Sequence, residues 1–319
     1  MRSGLSSGLQ EPIELPADHR PRARPAHDLA LTIQAQSCAR DLVRSADVRI
    51  VEIAYSPVKG LGLLYPSEVE LTALGVASNR RFFLVDEHLQ MVNGKRLGKL
   101  VQVKPELHEA ENRLTLRFPE GGLVSDVVEL GEPVETSFLG RPRPGRLVNG
   151  PWGVALSEWA GQPLRLVAPA AGLVGVDRGV AGGVSVASLA SLERLAQALG
   201  VDMIDRGRFR MLFWVDGLGP HAEDAWVGSQ VVLGDAVVQV RGHVGRCVVT
   251  AQNPETGLPD LDTLGGLSSY RDPAAITAPL ALGVWGEVVS GGRVRLGDLV
   301  QVRSASTDPG LPAQAARMR

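Results

Sequence analysis

Short runs of β-branched and aromatic residues, each closed by glycine, proline or polar residues, make up most of the chain from Val48 to Arg303. The first run is VRIVEIAY at 48–55, which ends at the turn signal Ser56-Pro57. Runs of this length and pattern are typical of β-strands. Gly and Pro number 37 and 21 in 319 residues, which agrees with many short strands and turns. We therefore predict a mainly β fold with a few helices (α+β), at a length that suits roughly two domains.

Paired runs in the first half of the chain predict two hairpins. Residues 81–85 and 89–92 flank the polar stretch DEH, and residues 100–108 and 113–118 flank EAEN. Consecutive hairpins of this kind indicate a β-barrel or an open antiparallel sheet.

The middle of the chain contains a connection and the clearest helix. The stretch 141–153 concentrates proline and glycine, which suits a connection better than a buried element. The segment SLASLERLAQAL at 188–199 has the spacing of a helix, with Ser188 as the N-cap and Gly200 as the stop. Four leucines share one face, which we expect to pack on a sheet: Leu189, Leu192, Leu195 and Leu199.

The remainder of the chain returns to β patterns. Two of its segments contain a Gly-Asp turn, at Gly234-Asp235 and Gly297-Asp298, which leaves open an internal repeat or two unrelated turns. The predicted strand segments are 210–215, 229–242, 247–251, 283–289 and 293–303.

These signals divide the chain into four parts. Residues 1–47 contain six arginines and six acidic residues, which argues against a transit peptide, so we predict a disordered leader. Residues 48–150 form one predicted β domain and residues 151–303 the second. The tail 304–319 is predicted to be disordered.

Charge and cysteine content exclude several classes of protein. Lys plus Arg number 33 and Asp plus Glu 35, a net charge of -2, so no global field attracts nucleic acid or an anionic membrane, and any anion site must be local. No apolar run approaches the roughly 18 residues of a membrane span. Two cysteines, Cys38 and Cys247, do not make a disulfide framework, and a reducing compartment, the cytoplasm, is the simpler assumption.

Cys247 lies in the patterned segment GHVGRCVVTAQNPETG, where two interpretations stand. A lone cysteine at a strand start is commonly a small buried hydrophobe. A thiolate is also a soft ligand for redox-active transition metals, and the adjacent guanidinium of Arg246 favours the anion. The residues alone leave both interpretations open.

Several segments, taken in order, resemble MOSC proteins, which are named for the molybdenum cofactor sulfurase C-terminal domain. They are YSPVKGL (55–61), RRFFLVDEHLQMV (80–92), RGRFR (206–210), VDGLGPHAEDAWVG (215–228), GRCVVTAQNPETG (245–257) and GVWGEVVSGGRVRLGDLV (283–300). The part before residue 150 is similar to the β-barrel domain that precedes MOSC in the mitochondrial amidoxime-reducing component and its bacterial relatives. The resemblance implies two β-barrel-like modules, an N-terminal MOSC-associated barrel and a C-terminal MOSC β-barrel.

The resemblance further implies a pterin-based molybdenum cofactor (molybdopterin) between the two modules, with Cys247 as the metal ligand and catalytic residue. It places Lys59, Arg81 and Arg210 around the phosphate and pterin, with Arg246 beside the cysteine. Each cation also has a plain interpretation as a surface charge or an ion-pair partner. Gly60 lets the backbone approach a phosphate, and arginines grip phosphate and planar rings with two parallel hydrogen bonds.

The chain departs from the family pattern at three places. Gly60 and Gly245 stand where relatives commonly have serine, and Met211-Leu212 stands where they often have Pro-Asn. Each change removes a hydrogen-bonding side chain while the charges and the thiol remain. We therefore expect phosphate and metal binding to persist better than any particular substrate chemistry.

Other polar residues carry weaker signals. His221, Glu223 and Asp224 lie close together in sequence, but their spacing matches no closed metal site, so we predict a solvated acidic turn or a loop beside the pocket. His243, four residues before Cys247, is not assigned as its base, because spacing does not show contact. Asn253 begins a polar turn and is given no role in proton delivery.

The resulting hypothesis is a molybdenum-dependent oxidoreductase of the amidoxime-reducing type, acting on N-hydroxylated or N-oxide substrates. Its electrons would come from a separate donor protein of the iron-sulfur, flavin or haem type, because the chain has no cysteine cluster for iron-sulfur binding and no haem attachment motif. The alternative is a sulfur carrier with a persulfide on Cys247, loaded by a cysteine desulfurase. No lysine in this chain marks a pyridoxal phosphate site.

Overall fold

The computed structural model describes residues 48–138, 140–170 and 183–303. The predicted leader at 1–47 and tail at 304–319 lie outside the described residues. The strands are β1 (Arg49–Ile53), β2 (Glu68–Leu71), β3 (Phe83–Val85), β4 (Met91–Val92), β5 (Lys104–His108), β6 (Arg113–Arg117), β7 (Leu123–Val127), β8 (Glu129–Phe138), β9 (Arg141–Asn149), β10 (Arg165–Pro169), β11 (Val184–Ser188), β12 (Phe213–Asp216), β13 (Gln230–Leu233), β14 (Ala236–Gly245), β15 (Ala281–Ser290), β16 (Gly292–Arg295) and β17 (Val300–Arg303).

Helical segments are short and stand between the strands. The α-helices in the described part of the chain are α1 (Trp152–Ala160), α2 (Leu189–Leu199) and α3 (Thr263–Ser268). Short 3-10 helices occupy Gly98–Gln102, Glu109–Glu111, Arg206–Phe209, Ala222–Trp226, Val248–Ala251 and Pro273–Ala275.

Four sheets organise these strands. The largest has seven strands in the order β1-β12-β11-β15-β14-β13-β17, and a second has five in the order β4-β3-β10-β9-β8. Strands β5, β6 and β7 form a third sheet, and β2 pairs with β16. The mainly β fold with a few helices is confirmed.

The largest sheet curls so that its edge strands β1 and β17 come into contact near their first residues, without a continuous ladder between them. The amide of Val300 donates to the carbonyl oxygen of Val48 at 2.9 Å, and the amide of Ile50 donates to that of Asp298 at 3.0 Å. Curling covers part of the edge strands, which would otherwise expose unpaired backbone groups. Among the described residues the sheets are curled, and no sheet closes into a complete barrel.

Strand pairings cross the boundary predicted near residue 150 in both directions. Strand β1 pairs with β12, with Ile53 opposite Phe213, and β10 pairs with β3 and β9. Helix α1 packs with the first-half strands, because Trp152 is fully buried and its indole N–H donates to the carbonyl oxygen of Leu114 at 3.0 Å. Both halves therefore contribute to the packing around their junction.

Local sequence signals predicted several elements correctly. The two hairpins form as β3–β4 and β5–β6, and the first Gly-Asp dipeptide is the turn of the hairpin β13–β14. Helix α2 begins at Ser188, whose hydroxyl accepts from the amide of Ser191 at 3.1 Å, and ends at Gly200 with φ 67°. Leu192 and Leu195 are buried on its inner face.

Two predictions of local structure are wrong. Residues 141–149 form strand β9, because its prolines occupy alternate positions and the intervening residues make the ladder bonds to β8. Residues 248–251 form a 3-10 helix instead of a strand, because the amide and hydroxyl of Thr250 both donate to the carbonyl oxygen of Cys247 at 3.0 Å.

The second Gly-Asp turn does not close a hairpin. Gly297-Asp298 connects β16, which pairs with β2, to β17, which pairs with β13. The two Gly-Asp turns therefore have different surroundings, and the internal repeat that their similarity left open is not present.

Candidate functional site

A cavity of about 410 Å³ lies where segments from both halves of the sequence meet. Its walls include residues 54–60, the turn at 93–95, the segment 208–212 and the segment 244–250. This volume is within the range of small-molecule and cofactor sites.

The charged residues that line the cavity, among those that the structure describes, are all cationic. Among the described residues that line it there is no aspartate or glutamate. Six cationic residues line it: Lys59, Arg80, Lys95, Arg208, Arg210 and Arg246. Because the whole chain has a net charge of -2, this is a local concentration of cations, which suits an anionic ligand.

Cys247 lines this cavity as an exposed, free cysteine. It directly precedes the 3-10 helix at 248–251, and its carbonyl oxygen accepts two hydrogen bonds from Thr250. The hydroxyl of Thr250 lies 2.7 Å from that of Thr263, at the start of α3. The backbone of Cys247 is therefore held in place, and the interpretation as a buried small hydrophobe is wrong.

Arg246 reaches into the wall behind the cysteine. Its guanidinium donates to the carbonyl oxygens of Phe209, at 2.9 Å, and of Leu282, and to the sulfur of Met211 at 2.7 Å. These contacts connect the cysteine turn to the segment 206–212 and to the start of β15. Arg246 lines the cavity while it fixes the geometry of its wall.

The structure brings three further predicted residues to the same cavity. Lys59 and Gly60 line it after a bridge between Val58 and Phe82, and the Lys59 ammonium lies 5.5 Å from the centre of the Phe138 ring. Arg210 has a left-handed backbone, with φ 51°, and its guanidinium donates to the carbonyl oxygen of Leu61 at 2.7 Å. With Arg246 and Cys247, all but one of the residues that the resemblance assigned to the cofactor line this cavity.

That exception is Arg81, which does not line the cavity. Its guanidinium donates to the side-chain oxygen of Asn112 at 3.1 Å and lies 5.8 Å from the centre of the Phe82 ring. The neighbouring Arg80 lines the cavity instead, with a left-handed φ of 54°. Arg81 was assigned through the resemblance, whereas the left-handed turn before β3 places Arg80 at the cavity.

Arg208 is a cavity residue that the sequence analysis did not assign. It is buried, and its guanidinium makes two hydrogen bonds to the carboxylate of Asp260, at 2.6 and 2.9 Å. Asn253 donates to the same carboxylate at 2.9 Å. The segment RGRFR contains three arginines, and only Arg210 was assigned to the cofactor. The repeated arginines are the sequence signal that could have indicated Arg208.

The pairing with Arg208 predicts how Asp260 responds to pH. Hydrogen bonding to Arg208 holds the pKa of Asp260 below its ordinary value of 3.8. Such a carboxylate contributes stability that is present above the unfolded-state pKa and lost as the pH falls through the folded-state pKa. We expect Asp260→Asn to melt at a lower temperature than the parent between about pH 5 and 8, with the difference shrinking below about pH 4. Melting curves across this range test it, and a difference that persists unchanged to pH 3 would contradict the ion pair.

Gly60 is required by its backbone conformation. Its φ of 91° lies in the region that side chains disfavour, whereas a Cβ there would meet its neighbours no closer than 3.5 Å. Restoring the family's serine with Gly60→Ser should therefore destabilise the protein by about 1–2 kcal/mol. Gly219→Ser is the control, because a Cβ at Gly219 meets nothing within 4 Å. Equal stability of both variants in urea unfolding would refute this explanation of the glycine.

Space explains a second departure from the family. A Cβ on Gly245 would lie 3.1 Å from the Cβ of Ala278 and 3.2 Å from the carbonyl oxygen of Pro279. A serine at 245 would therefore require the segment at 278–279 to shift by a few tenths of an ångström. At the third departure, Met211 is buried and its sulfur accepts from Arg246.

The turn with His221, Glu223 and Asp224 is not a fully solvated acidic turn, because Glu223 is buried and the other two are partly buried. Glu223 is fully buried and accepts from the amide and hydroxyl of Ser188 and from the hydroxyl of Ser191, at 2.7–3.2 Å. Burial and the charge of Arg271 lower the pKa of His221 to about 4. These residues fix the turn to the start of α2, and none of them lines the cavity.

His243 is likewise a structural residue. It is buried, and its Nδ1 accepts from the amide of Thr277 at 3.0 Å, which leaves Nε2 facing the Asp224 carboxylate at 3.4 Å. It does not line the cavity, and Asn253 forms the expected turn by accepting from the amides of Glu255 and Thr256.

The side chains of the cavity fit a metal that is held mainly by an organic cofactor and has one protein ligand. Within the described ranges no three His, Cys, Asp or Glu residues converge on one point. A metal held by protein alone needs about four ligands. A single soft sulfur donor in a cation-lined cavity instead suits a metal carried by an anionic cofactor, as the molybdenum cofactor is.

Two family models match the chain. The MOSC N-terminal beta barrel domain matches residues 47–135 and the MOSC domain matches residues 176–301. Together they cover more than half of the chain, which belongs to the MOSC domain family, with the MOSC N-terminal barrel domain preceding the MOSC domain.

The individual proteins that match the chain are distant from it in sequence or in structure. Mitochondrial amidoxime-reducing component 1 of Mus musculus is 33% identical over 121 residues, which are 36% of this chain and 35% of that protein, so the match spans about a third of its length. Among solved structures, the YUAD protein from Bacillus subtilis has 12% identity and a TM-score of 0.41, over 81% of this chain and 97% of that chain. YiiM from Geobacillus stearothermophilus has 16% identity and a TM-score of 0.32, over 57% and 75%. These two structures are too distant to support an inference about this chain.

No helix in the part of the chain that the structure describes has the length and apolar character needed to cross a membrane.

Proposed function

We propose that this protein binds a pterin-based molybdenum cofactor and acts as an oxidoreductase of the amidoxime-reducing type. The observation that carries the proposal is the combination of one exposed thiol with six cationic residues and no carboxylate in the described lining of a single cavity. An anionic metal-bearing cofactor matches both the charge and the soft donor.

Each residue then has a defined role. Cys247 provides the protein's ligand to the metal, and Lys59 and Arg210 neutralise the phosphate, with the backbone of Gly60 close by. Arg246 holds the cysteine turn through its bonds to the carbonyl oxygens of Phe209 and Leu282. When bound, the cofactor supplies two-electron chemistry with removal of an oxygen atom from N-hydroxylated or N-oxide substrates.

The protein's own contribution is orientation, charge and shape. Arg210 donates to the carbonyl oxygen of Leu61, 149 positions earlier in the chain and close in sequence to Lys59. The phosphate would therefore be held from both halves of the chain. A separate electron-donor protein completes the cycle, because this chain has only two cysteines and an iron-sulfur cluster commonly needs four.

Metal and cofactor analysis tests the proposal. The protein should be purified from cells able to make the cofactor, and molybdenum and pterin should be measured per chain after gel filtration. The proposal expects both to co-purify at close to one per chain, and loaded protein should reduce an aromatic amidoxime with a chemical electron donor. Protein without molybdenum or pterin from such cells would contradict it.

The second candidate is a sulfur carrier in which Cys247 bears a persulfide supplied by a cysteine desulfurase. The exposure of the Cys247 side chain favours this candidate too, since a carrier must meet a partner. Cyanide-releasable sulfur on metal-free protein would support the carrier, whereas bound molybdenum and pterin without such sulfur would support the oxidoreductase.

A further inference from the structure

Lys95 is a cationic residue of the cavity that the family resemblance did not assign. It lines the same cavity as Cys247, but it comes from the turn between β4 and the 3-10 helix at 98–102. Of the four lysines in the chain, Lys59 and Lys95 line this cavity and Lys99 and Lys104 do not.

The turn that carries Lys95 is firmly held. The side-chain oxygen of Asn93 accepts from the amide of Lys95 at 3.0 Å, and its carbonyl oxygen accepts from the amides of Arg96 and Leu97 at 2.9 Å. The guanidinium of Arg96 points away and pairs with Asp86 at 2.8 Å. These hydrogen bonds hold the backbone of Lys95 in place.

The same turn packs directly on the segment that follows Cys247. The side-chain amide of Gln252 donates to the carbonyl oxygen of Gly94 at 2.8 Å. A Cβ on Gly94 would lie 3.8 Å from Cγ1 of Val249. Lys95 is thus carried by the part of the first half that contacts the cysteine turn, and no described carboxylate forms an ion pair with it.

The cavity has more positive charge than its predicted cofactor contacts require. A phosphomonoester carries at most about two negative charges at neutral pH, whereas Lys59, Arg80, Arg210 and Arg246 are four cationic side chains of the same cavity. Arg208 is balanced by Asp260. The additional charge of Lys95 lies on the cysteine side, where a second anionic group would be stabilised.

We propose that Lys95 is a specificity-determining residue that selects substrates carrying a carboxylate or similar oxyanion near the group that is reduced. The inference rests on the proposed function, because it assumes that substrate reacts beside Cys247. In the reaction concerned, an amidoxime accepts two electrons and two protons and yields an amidine and water, with the electrons supplied by a reduced viologen in the assay.

The first test needs neither cofactor nor turnover. In the full-length, metal-free protein, the Cys247 thiolate attacks the methylene carbon of iodoacetate or iodoacetamide, a C–S bond forms and iodide leaves. Both reagents consume the same thiolate, so the ratio of their rate constants reports how strongly the surroundings favour an anion. Peptide mass spectrometry separates Cys247 from Cys38.

We expect the iodoacetate-to-iodoacetamide ratio to exceed that of a free cysteine peptide by roughly tenfold at low salt and to collapse in 1 M salt. Lys95→Gln should lower the ratio about two- to fourfold. Lys99→Gln is the matched control, because Lys99 donates to the carbonyl oxygen of Trp159 and does not line the cavity. A ratio in Lys95→Gln equal to that of the parent would overturn the inference.

The second test uses loaded protein and a matched pair of substrates, 4-carboxybenzamidoxime and 4-carbamoylbenzamidoxime. We expect the carboxylate to be preferred in kcat/KM, and Lys95→Gln to reduce this preference about two- to fourfold through KM. Equal loss for both substrates, or no preference in the parent, would overturn the inference.

Failure of the inference is distinguishable from failure of the proposed function. Molybdenum and pterin bound at equal levels in parent and Lys95→Gln, with an unchanged alkylation ratio, would remove the role of Lys95 and leave the proposed function standing. Absence of molybdenum together with a ratio that falls in Lys95→Gln would remove the oxidoreductase and leave Lys95 as an anion-selecting residue of the cavity. Release of a nucleotide with the pterin would show that the second anion belongs to the cofactor and would overturn the substrate assignment.

Discussion

Replacing Cys247 with serine is expected to abolish molybdenum retention while the fold stays intact. Serine is nearly the same shape, but its hydroxyl is a hard, weakly acidic group that does not replace a thiolate toward a soft metal. The side chain of Cys247 is exposed, and the contacts that hold the turn are made by its carbonyl oxygen, which serine retains. The expected loss in metal content is therefore nearly complete.

Mass spectrometry measures the molybdenum content of the variant, and thermal unfolding of the same samples measures its stability. The change in unfolding free energy should stay within about 0.5 kcal/mol, as for other surface substitutions. Cys38→Ser is the matched control and should keep its molybdenum. A Cys247→Ser variant with full molybdenum occupancy would refute the assignment of this sulfur as the metal ligand.

Replacing Glu223 with alanine is expected to have the largest effect on stability. The Glu223 carboxyl group is fully buried and accepts three hydrogen bonds from Ser188 and Ser191 at the start of α2. Removing it leaves buried donors without an acceptor and a void between the turn and the helix. Losses of this kind cost about 3–5 kcal/mol, which corresponds to roughly 10 °C in melting temperature for a chain of this size.

Urea unfolding and thermal melting of Glu223→Ala, compared with the parent, measure this loss. Glu87→Ala is the control, because its side chain is 63% exposed and its recorded partner is the exposed His88. Glu223→Gln should be intermediate, since it keeps one acceptor oxygen. A Glu223→Ala variant as stable as the control would show that the buried network at 188–191 does not support the fold.

The fold was largely predictable because its signals are local. Helix α2 is specified by an N-cap serine, a leucine stripe and a terminal glycine, and each hairpin is specified by two β runs with a polar turn. Local signals do not say which strand pairs with which. Two Gly-Asp turns look the same in sequence, yet one closes a hairpin and the other joins strands of different sheets.

The candidate site was predictable only in part. Lys59, Arg210, Arg246 and Cys247, which the resemblance assigned to the cofactor, all line one cavity, and their contact with a cofactor stays a prediction. The resemblance assigned Arg81, but Arg80 lines the cavity, and the left-handed backbone at Arg80 is not predictable from a sequence pattern. Arg208 and Lys95 were not assigned, because which cations line the cavity depends on how distant segments fold together, and spacing does not reveal this.

The most direct measurement is anomalous scattering at the molybdenum absorption edge from crystals of protein produced in cells that make the cofactor. The account predicts one strong molybdenum peak within covalent bonding distance of the Cys247 sulfur, with the pterin phosphate among the cationic residues of the cavity. A molybdenum peak bound elsewhere on the protein, or loaded crystals with the Cys247 sulfur unligated, would contradict it.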